Sequence, residues 1–323
     1  VPAIGGAAAG QAVNDNATVS PFAAMTVVDA DAGASLTASI TLDTAAKGAF
    51  TAASLTASGF SSADGGLTYA HAAVTPSAMQ AAIRALVYQP TANRVISGST
   101  ETTTFTVAID DGVAATVTNN TTTVVATSIN EAPVFAGTLA GVTWTEGSNS
   151  GVVYNGASVV LFSGAGISDA DSATSFNGAT LRVSFAAYRS GDLISFPATS
   201  GLVGFDSGTG AISYNGTAVG AVAGGFGADL VVTFNGSATK TAIDAIVNTV
   251  LFNVYSNDNP AAMGAATTRA VSAVFNDNGN GGASAANSNT LTGTLTIGAT
   301  NDAPTFAGLD GAPGFTEGGS AVA

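Results

Sequence analysis

The segment INEAPVFAG at residues 129–137 decides the fold, because the chain repeats it as TNDAPTFAG at residues 300–308. The copies start at positions 129 and 300, an offset of 171, and TEGS at residues 145–148 recurs as TEGG at residues 316–319 with the same offset. A fixed offset is typical of tandem repeats. The repeat predicts a first unit over residues 1–133, a longer unit over residues 134–304 and the start of a third unit over residues 305–323.

Two short acidic motifs support this division. The Asp-Ala-Asp motif of residues 29–31 recurs at residues 169–171, and the acidic turn at residues 110–111 has a counterpart at residues 276–278. The interval between the two motifs is longer in the second unit. We expect its extra residues to lie in the glycine-rich region 188–235.

Between these motifs, apolar and polar residues alternate with a period of two, as in antiparallel strands that are buried on one face. Turn sequences such as Asp64-Gly65-Gly66 and Asn215-Gly216 separate the alternating runs. In each unit a threonine, Thr75 or Thr239, precedes an apolar stripe with helical spacing. The chain therefore predicts an all-β fold of tandem antiparallel β-sandwiches, each with one short helix. The predicted strands include residues 35–42, 102–109, 181–185, 230–234, 269–275 and 291–297.

The composition excludes several classes of function. The 323 residues include 21 acidic and 7 basic side chains, and the net charge of −14 argues against nucleic acid or an anionic membrane surface as a partner. The absence of cysteine excludes disulfides, zinc–thiolate sites and thiol nucleophiles. One histidine and acids placed in turns do not form a catalytic arrangement, so we expect no enzyme. Glycine, serine and asparagine interrupt the longest uncharged stretches, so we expect no membrane span.

The Asn-(Asp/Glu)-Ala-Pro linkers, the Thr-Glu-Gly segments, the Asp-Ala-Asp turns and the later acidic turns together resemble bacterial cadherin-like tandem repeats. Such repeats build large extracellular adhesins, which are often exported by type I secretion. The resemblance covers essentially the whole chain. It implies a cadherin- or immunoglobulin-like sandwich, an extracellular location at the cell surface, and calcium held between successive domains.

The resemblance also implies which residues would bind calcium. The linkers are shorter than the Asp-x-Asn-Asp-Asn-x-Pro linker of cadherins, and the Asp-Arg-Glu motif of that family has no counterpart in this sequence. One ion, two ions or none at each junction therefore stay open. The first junction would use Asn130 and Glu131 with Asp110 or Asp111 from the first unit, and Asp169 and Asp171 from the second. The next junction would use Glu146, Asp277, Asn301 and Asp302.

The residue chemistry gives calcium separate support. Calcium takes six to eight oxygen ligands, which carboxylates and amide carbonyls supply. With 21 acidic groups and 7 basic ones, few carboxylates can pair with a protein cation. Carboxylates that meet at a junction would repel one another unless a cation or water lay between them. The alternative is that aspartate and asparagine occupy these positions only because they favour turns.

Two non-catalytic functions follow. In the first, the repeats form a calcium-stiffened stalk of a bacterial surface adhesin that mediates cell-surface or biofilm attachment, and the partners of each unit are its neighbours in the chain. In the second, the chain is a structural subunit of a self-assembling extracellular filament or surface layer. Only 9% of the residues are charged, and this favours the second function, because weakly charged faces can pack against identical chains.

Overall fold

The structure is a computed structural model that describes residues 1–139, 141–147, 156–171, 176–256, 260–261, 267–281 and 284–300. Asn301, Asp302 and the expected third repeat at residues 305–323 lie outside the described residues. None of the helices in the described part is long and apolar enough to cross a membrane.

In the first half of the chain, residues 1–127, one sheet has the strand order β2-β10-β8-β4-β6, and β9 pairs with β8. Two separate antiparallel pairs, β1–β3 and β5–β7, share one hydrophobic core with this sheet and with α2. The elements are β1 (Ala3–Gly5), β2 (Gln11–Asn14), β3 (Thr26–Val28), β4 (Leu36–Leu42), β5 (Gly48–Phe50), α1 (Ala52–Ser58), β6 (Thr68–Val74), α2 (Pro76–Arg84), β7 (Tyr88–Pro90), β8 (Thr100–Asp110), β9 (Val117–Asn119) and β10 (Thr123–Thr127).

The second half, residues 134–298, repeats this order as β12-β24-β23-β15-β21 and extends it with β20-β19-β18-β17, which gives nine strands among the described residues. The strands are β11 (Val134–Leu139), β12 (Thr143–Thr145), β13 (Val159–Val160), β14 (Phe162–Ser168), β15 (Thr180–Phe185), β16 (Asp192–Ser195), β17 (Thr199–Ser200), β18 (Val203–Asp206), β19 (Ala211–Tyr214), β20 (Thr217–Gly224), β21 (Leu230–Phe234), β22 (Leu251–Val254), β23 (Thr268–Asn276) and β24 (Leu291–Gly298). The helix α3 (Lys240–Val247) follows β21, as α2 follows β6.

The fold is all-β and consists of antiparallel β-sandwiches, as the alternating sequence predicts. Each half has its own hydrophobic core, centred on Phe50 and Phe105 in the first and on Trp144 and Phe275 in the second. In each half, the first strand to enter the main sheet, β2 or β12, is its opening strand. It runs parallel to the final strand of that half, β10 or β24. The other neighbours in the two sheets are antiparallel. This arrangement determines at which end of each half the acidic turns lie.

The helices show one difference from the sequence prediction, because the first half has two. The predicted helix α2 is present, its side chains Met79 and Ile83 are buried, and the Thr75 hydroxyl accepts a hydrogen bond from Ala78 N–H. The additional helix α1 buries Ser54 and Ser58. Since α1 has no apolar stripe on its buried face, hydrophobic periodicity could not reveal it.

The second core contains a buried ion pair. Arg269 occupies an inward-facing position on β23, on the same buried face as Val271 and Ala273. Its Nε donates to Asp192 Oδ2 at 2.8 Å, and its Nη2 donates to Asp192 Oδ1 at 3.2 Å and to Pro260 O at 2.9 Å. Both side chains are essentially inaccessible to solvent. The carboxylate therefore makes an arginine possible in a position that otherwise takes an apolar residue.

We expect Asp192→Ala to lower the free energy of unfolding by about 3–5 kcal/mol, because it leaves a buried guanidinium without its counter-charge. Urea denaturation followed by circular dichroism measures this change. The control is Lys240→Ala, which removes the solvent-exposed partner of Asp244 and should cost less than about 1 kcal/mol. Equal effects of the two substitutions would contradict the interpretation.

Candidate metal centre at the junction of the two halves

Asp15 lies where the opening strand of the first half meets the linker. It directly follows β2 and is 3% exposed. Because β2 is parallel to β10, Asp15 lies beside the end of the final strand, and its N–H donates to Thr127 O at 2.9 Å. Its Oδ1 accepts from Ile129 N–H at 3.3 Å, and its Oδ2 accepts from Asn93 N–H at 2.8 Å. This carboxylate thus fixes the start of the linker to the loop that contains Asn93.

Glu146 is the equivalent residue of the second half, because it directly follows β12 as Asp15 follows β2. Its N–H donates to Gly298 O at 2.8 Å, and its Oε2 accepts from Thr300 N–H at 3.0 Å. Sequence analysis predicted a role for Glu146 but missed Asp15. A signal was available, since the spacing from Pro2 to Pro133 equals the spacing from Asp15 to Glu146.

The linker itself reaches the second half through hydrogen bonds. Glu131 N–H donates to Asp171 Oδ2 at 2.6 Å. The Asn130 amide donates to Asp277 Oδ2 at 2.8 Å, and its Oδ1 accepts from the Asn280 amide at 3.2 Å. The linker therefore contacts both the Asp-Ala-Asp turn and the later acidic turn of the second half.

Those two turns also contact each other. Asp169 Oδ1 accepts from Asp171 N–H at 3.0 Å, and Asp169 Oδ2 accepts from the Asn280 amide at 3.2 Å. Asp277 is fully buried, and its Oδ1 accepts from Gly279 N–H at 2.7 Å and from Ala286 N–H at 2.8 Å. Carboxylates and amides from the linker and from two turns of the second half thus converge at one junction.

Asp110 and Asp111 do not join this junction, contrary to the grouping expected from sequence. Asp110 ends β8 and Asp111 follows it. Because β8 is antiparallel to β10, both lie at the opposite end of the first half from the linker. Asp277 follows β23, which is antiparallel to β24. It consequently lies at the first junction and not beside Glu146. The structure brings together Asn130, Glu131, Asp169, Asp171 and Asp277, and it separates Asp110, Asp111 and Glu146 from them.

A second acidic cluster lies at the far end of the first half. Asp29, Asp31 and Asp111 place ligand oxygens within 4.8 Å of one another. The ammonium group of Val1 lies 3.1 Å from Asp31, 3.5 Å from Asp29 and 3.9 Å from Asp111. A hydrogen bond to Asp31 raises the pKa of this amino group. The carboxylate oxygens of this cluster are the kind of ligand that calcium prefers.

Burial of charge dominates the electrostatics of the junction. Burial raises the pKa of Glu131, and the nearby carboxylates of Asp171 and Asp15 raise it further. Burial also raises the pKa of Asp169, although hydrogen bonds from Asn280 and from Asp171 N–H oppose that change. Both effects disfavour the charged form, which a divalent cation would stabilise.

Comparison with known proteins finds no matching family model and no matching curated protein. Structural similarity is found with protocadherin gamma B2 extracellular cadherin domains 1–5, with a TM-score of 0.32 and 14% identity over 94% of this chain and 41% of that chain. Mouse cadherin-23 EC22–24 gives a TM-score of 0.28 and 13% identity over 92% of this chain and 66% of that one. The protocadherin gammaB7 EC3–6 cis-dimer structure gives 0.31 and 13%, over 92% of this chain and 47% of that one. The chain thus spans less than half of either protocadherin.

In buffer that contains a chelator, we expect Glu131→Gln to raise the melting temperature at neutral pH, because it removes a half-buried charge that desolvation and the neighbouring carboxylates disfavour. The raised pKa of Glu131 means that the folded state binds the proton more tightly than the unfolded state. The cost of Glu131 is therefore present at neutral pH and disappears as the pH falls through the raised pKa towards the usual value near 4.5.

Melting temperatures of both proteins between about pH 4 and pH 8 test this expectation. The advantage of Glu131→Gln should shrink as the pH falls. Glu101→Gln is the control, because Glu101 pairs with Arg94 near the surface, and its substitution should not stabilise the protein. An advantage that is constant over this range would contradict the assignment.

Proposed function

We propose that this chain is a non-catalytic, extracellular tandem-repeat segment, and that calcium at the junctions stiffens it as the stalk of a bacterial surface adhesin that mediates cell-surface or biofilm attachment. Its units would be residues 1–133 and 134–304, with a third unit beginning at residues 305–323. One observation carries the proposal: the linker and two turns of the second half bring carboxylates together at a single junction, where Asp277 is buried and Glu131, Asp169 and Asp171 are half-buried.

The residues present fit a calcium ion. All the groups that converge at the junction offer oxygen, which is the donor that calcium prefers. The first junction would draw on Asn130, Glu131, Asp169, Asp171 and Asp277. The Asp29, Asp31 and Asp111 cluster has the position that corresponds to Asp169, Asp171 and Asp277. At the far end of the second half, Glu146 would act with Asn301 and Asp302.

In this proposal calcium would supply positive charge that offsets the repulsion between the buried carboxylates. Residues of the protein itself restrict the conformation of the linker. Pro133 is buried and fixes one backbone angle two residues after Glu131. Asp15 and Asp171 hold the two ends of the linker by its N–H groups. A cation that joined the side chains of both halves would leave the interdomain angle little freedom.

The inserted strands favour a second candidate function, a subunit of a filament or surface layer. They end the nine-stranded sheet at the short strand β17 (Thr199–Ser200), and Leu202 and Phe226 are exposed near them. An uncovered sheet edge with apolar neighbours is a surface on which identical chains can pair. The two functions share the repeat and differ in whether chains associate.

Removal of calcium tests the stalk. We expect chelation to lower the melting temperature and to shorten the particle in small-angle X-ray scattering while the protein stays monomeric. At a calcium concentration about 100 times the dissociation constant, the stabilisation should be about 2.7 kcal/mol. Ordered polymers that form or dissolve would support the filament instead. Unchanged stability and shape would refute the role of calcium.

The variant Asp171→Asn connects this effect to the junction. Asparagine keeps an acceptor for Glu131 N–H but removes the charge, so the response to calcium should fall sharply. The control is Asp206→Asn, in which another turn aspartate that accepts backbone N–H groups is changed far from the junction. If both variants responded to calcium like the unmodified protein, the junction would not be the site.

A further inference from the structure

Buried oxygens without hydrogen-bond partners are concentrated at the junction. In the described part of the chain, eight buried side-chain oxygens have no hydrogen-bond partner. Such atoms normally carry a cost, because burial removes their hydrogen bonds to water. Five of the eight belong to residues at or beside the junction: Asn93 Oδ1, Ser97 Oγ, Glu131 Oε2, Asp171 Oδ1 and Asn280 Oδ1.

Four of these five residues line one cavity of about 470 Å³. Asn93 and Ser97 come from the loop of the first half, and Asp171 and Asn280 come from the turns of the second half. Glu131 lies next to these residues. Its N–H donates a hydrogen bond to Asp171, and a hydrogen bond from the Asn93 side chain to its carboxylate acts to lower its pKa. Residues that carry unpartnered oxygens therefore line a cavity that both halves form, and Arg94, which pairs with Glu101, lines it as well.

In the part of the chain that the structure describes, no three carboxylates at this cavity have ligand oxygens within 4.8 Å of one another. Among the described residues, the group of three whose ligand atoms lie within 4.8 Å of one another is Asp29, Asp31 and Asp111, at the other end of the first half. A cation at the junction would consequently need additional oxygen ligands near Glu131 and Asp171. The amide oxygens of Asn93 and Asn280 have the chemistry required.

The backbone holds both asparagines in place. Asn93 and Asn280 have φ values of 58° and 48°, in the left-handed region that most residues avoid. Asp15 Oδ2 accepts Asn93 N–H, and Asp277 O accepts Asn280 N–H. Asn280 is 4% exposed, and its amide nitrogen already donates to Asn130 and Asp169. Those two bonds fix the amide plane and leave Oδ1 for another partner.

We propose that Asn93 Oδ1 and Asn280 Oδ1 are ligands of a divalent cation at this junction, together with the carboxylates of Glu131 and Asp171. This inference rests on the proposed function, since it specifies how the junction binds calcium. The two carboxylates balance the charge of one divalent ion, and the two amides add oxygen ligands without adding charge. One amide belongs to the first half and the other to the second, so the ion would connect the two halves directly.

The test uses Asn93→Gly and Asn280→Gly, because glycine accepts a positive φ and removes only the side chain. The matched controls are Asn278→Gly, in the same turn as Asn280, and Asn215→Gly, in a distant hairpin, and both positions have positive φ. All proteins carry Asp31→Asn to weaken the other acidic cluster. Titration calorimetry with calcium chloride should show at least about tenfold weaker binding for each test variant. The controls should stay within about twofold of the parent.

A second measurement separates a ligand from a residue that only supports the fold. The luminescence lifetime of bound Eu³⁺ in H₂O and D₂O reports how many water molecules the ion retains. Loss of a ligand should add about one water in Asn93→Gly and in Asn280→Gly, because water fills the open coordination position.

The outcomes separate this inference from the function on which it rests. If the Asp31→Asn parent and its Asp171→Asn derivative both fail to bind calcium, the calcium mechanism at this junction is wrong. If the parent binds and Asp171→Asn weakens binding, but both glycine variants bind like their controls, only the amide ligands are refuted.

Discussion

The direction of the two strands that flank the final strand in each half is the constraint on which the rest of the molecule depends. On one side the opening strand, β2 or β12, runs parallel to the final strand, and on the other side β8 or β23 is antiparallel to it. A carboxylate after the opening strand, such as Asp15, therefore lies at the exit of its half. One after the antiparallel neighbour, such as Asp277 after β23, lies at the entrance. When two halves are joined by a short linker, exit and entrance carboxylates meet without any long loop.

That meeting of like charges has an energetic consequence. The pKa of Glu131 and that of Asp169 are both raised mainly by burial, so the fold holds these groups where their charged forms are least favourable. Hydrogen bonds from Asn130 and Asn280 offset part of this cost by donating to Asp277 and Asp169. The junction is thus built from groups that are fixed in place but short of positive charge. A site of this kind gains more from a bound cation than an exposed acidic turn would.

Much of the fold could be predicted from sequence, because strands buried on one face leave a period-two pattern and the helix caps Thr75 and Thr239 precede apolar stripes. Helix α1 (Ala52–Ser58) could not, since serines form its buried face. The positions of the acidic turns and of the linker could be found in the sequence, but which of them lie together could not, because a sequence does not state which strand runs antiparallel to which. Asp15 was missed because its segment does not contain the Thr-Glu-Gly motif in which Glu146 lies. Both residues nevertheless donate their N–H to the end of the final strand, Asp15 to Thr127 O and Glu146 to Gly298 O.

The two acidic clusters differ in a way that follows from turn length. In the first half, Asp111 closes a short turn by accepting Val113 N–H and Ala114 N–H, and a third carboxylate thereby approaches Asp29 and Asp31. In the second half the turn after Asp277 is longer and carries Asn280 across to the linker. A neutral amide therefore contacts the linker at Asn130, beside the carboxylates of Asp171 and Asp277. The second acidic turn, with Asp277, carries less negative charge than the first, with Asp110 and Asp111. The Asn280 amide, however, contacts both Asn130 of the linker and Asp169 of the second half. This suits a site that must connect two halves as well as bind an ion.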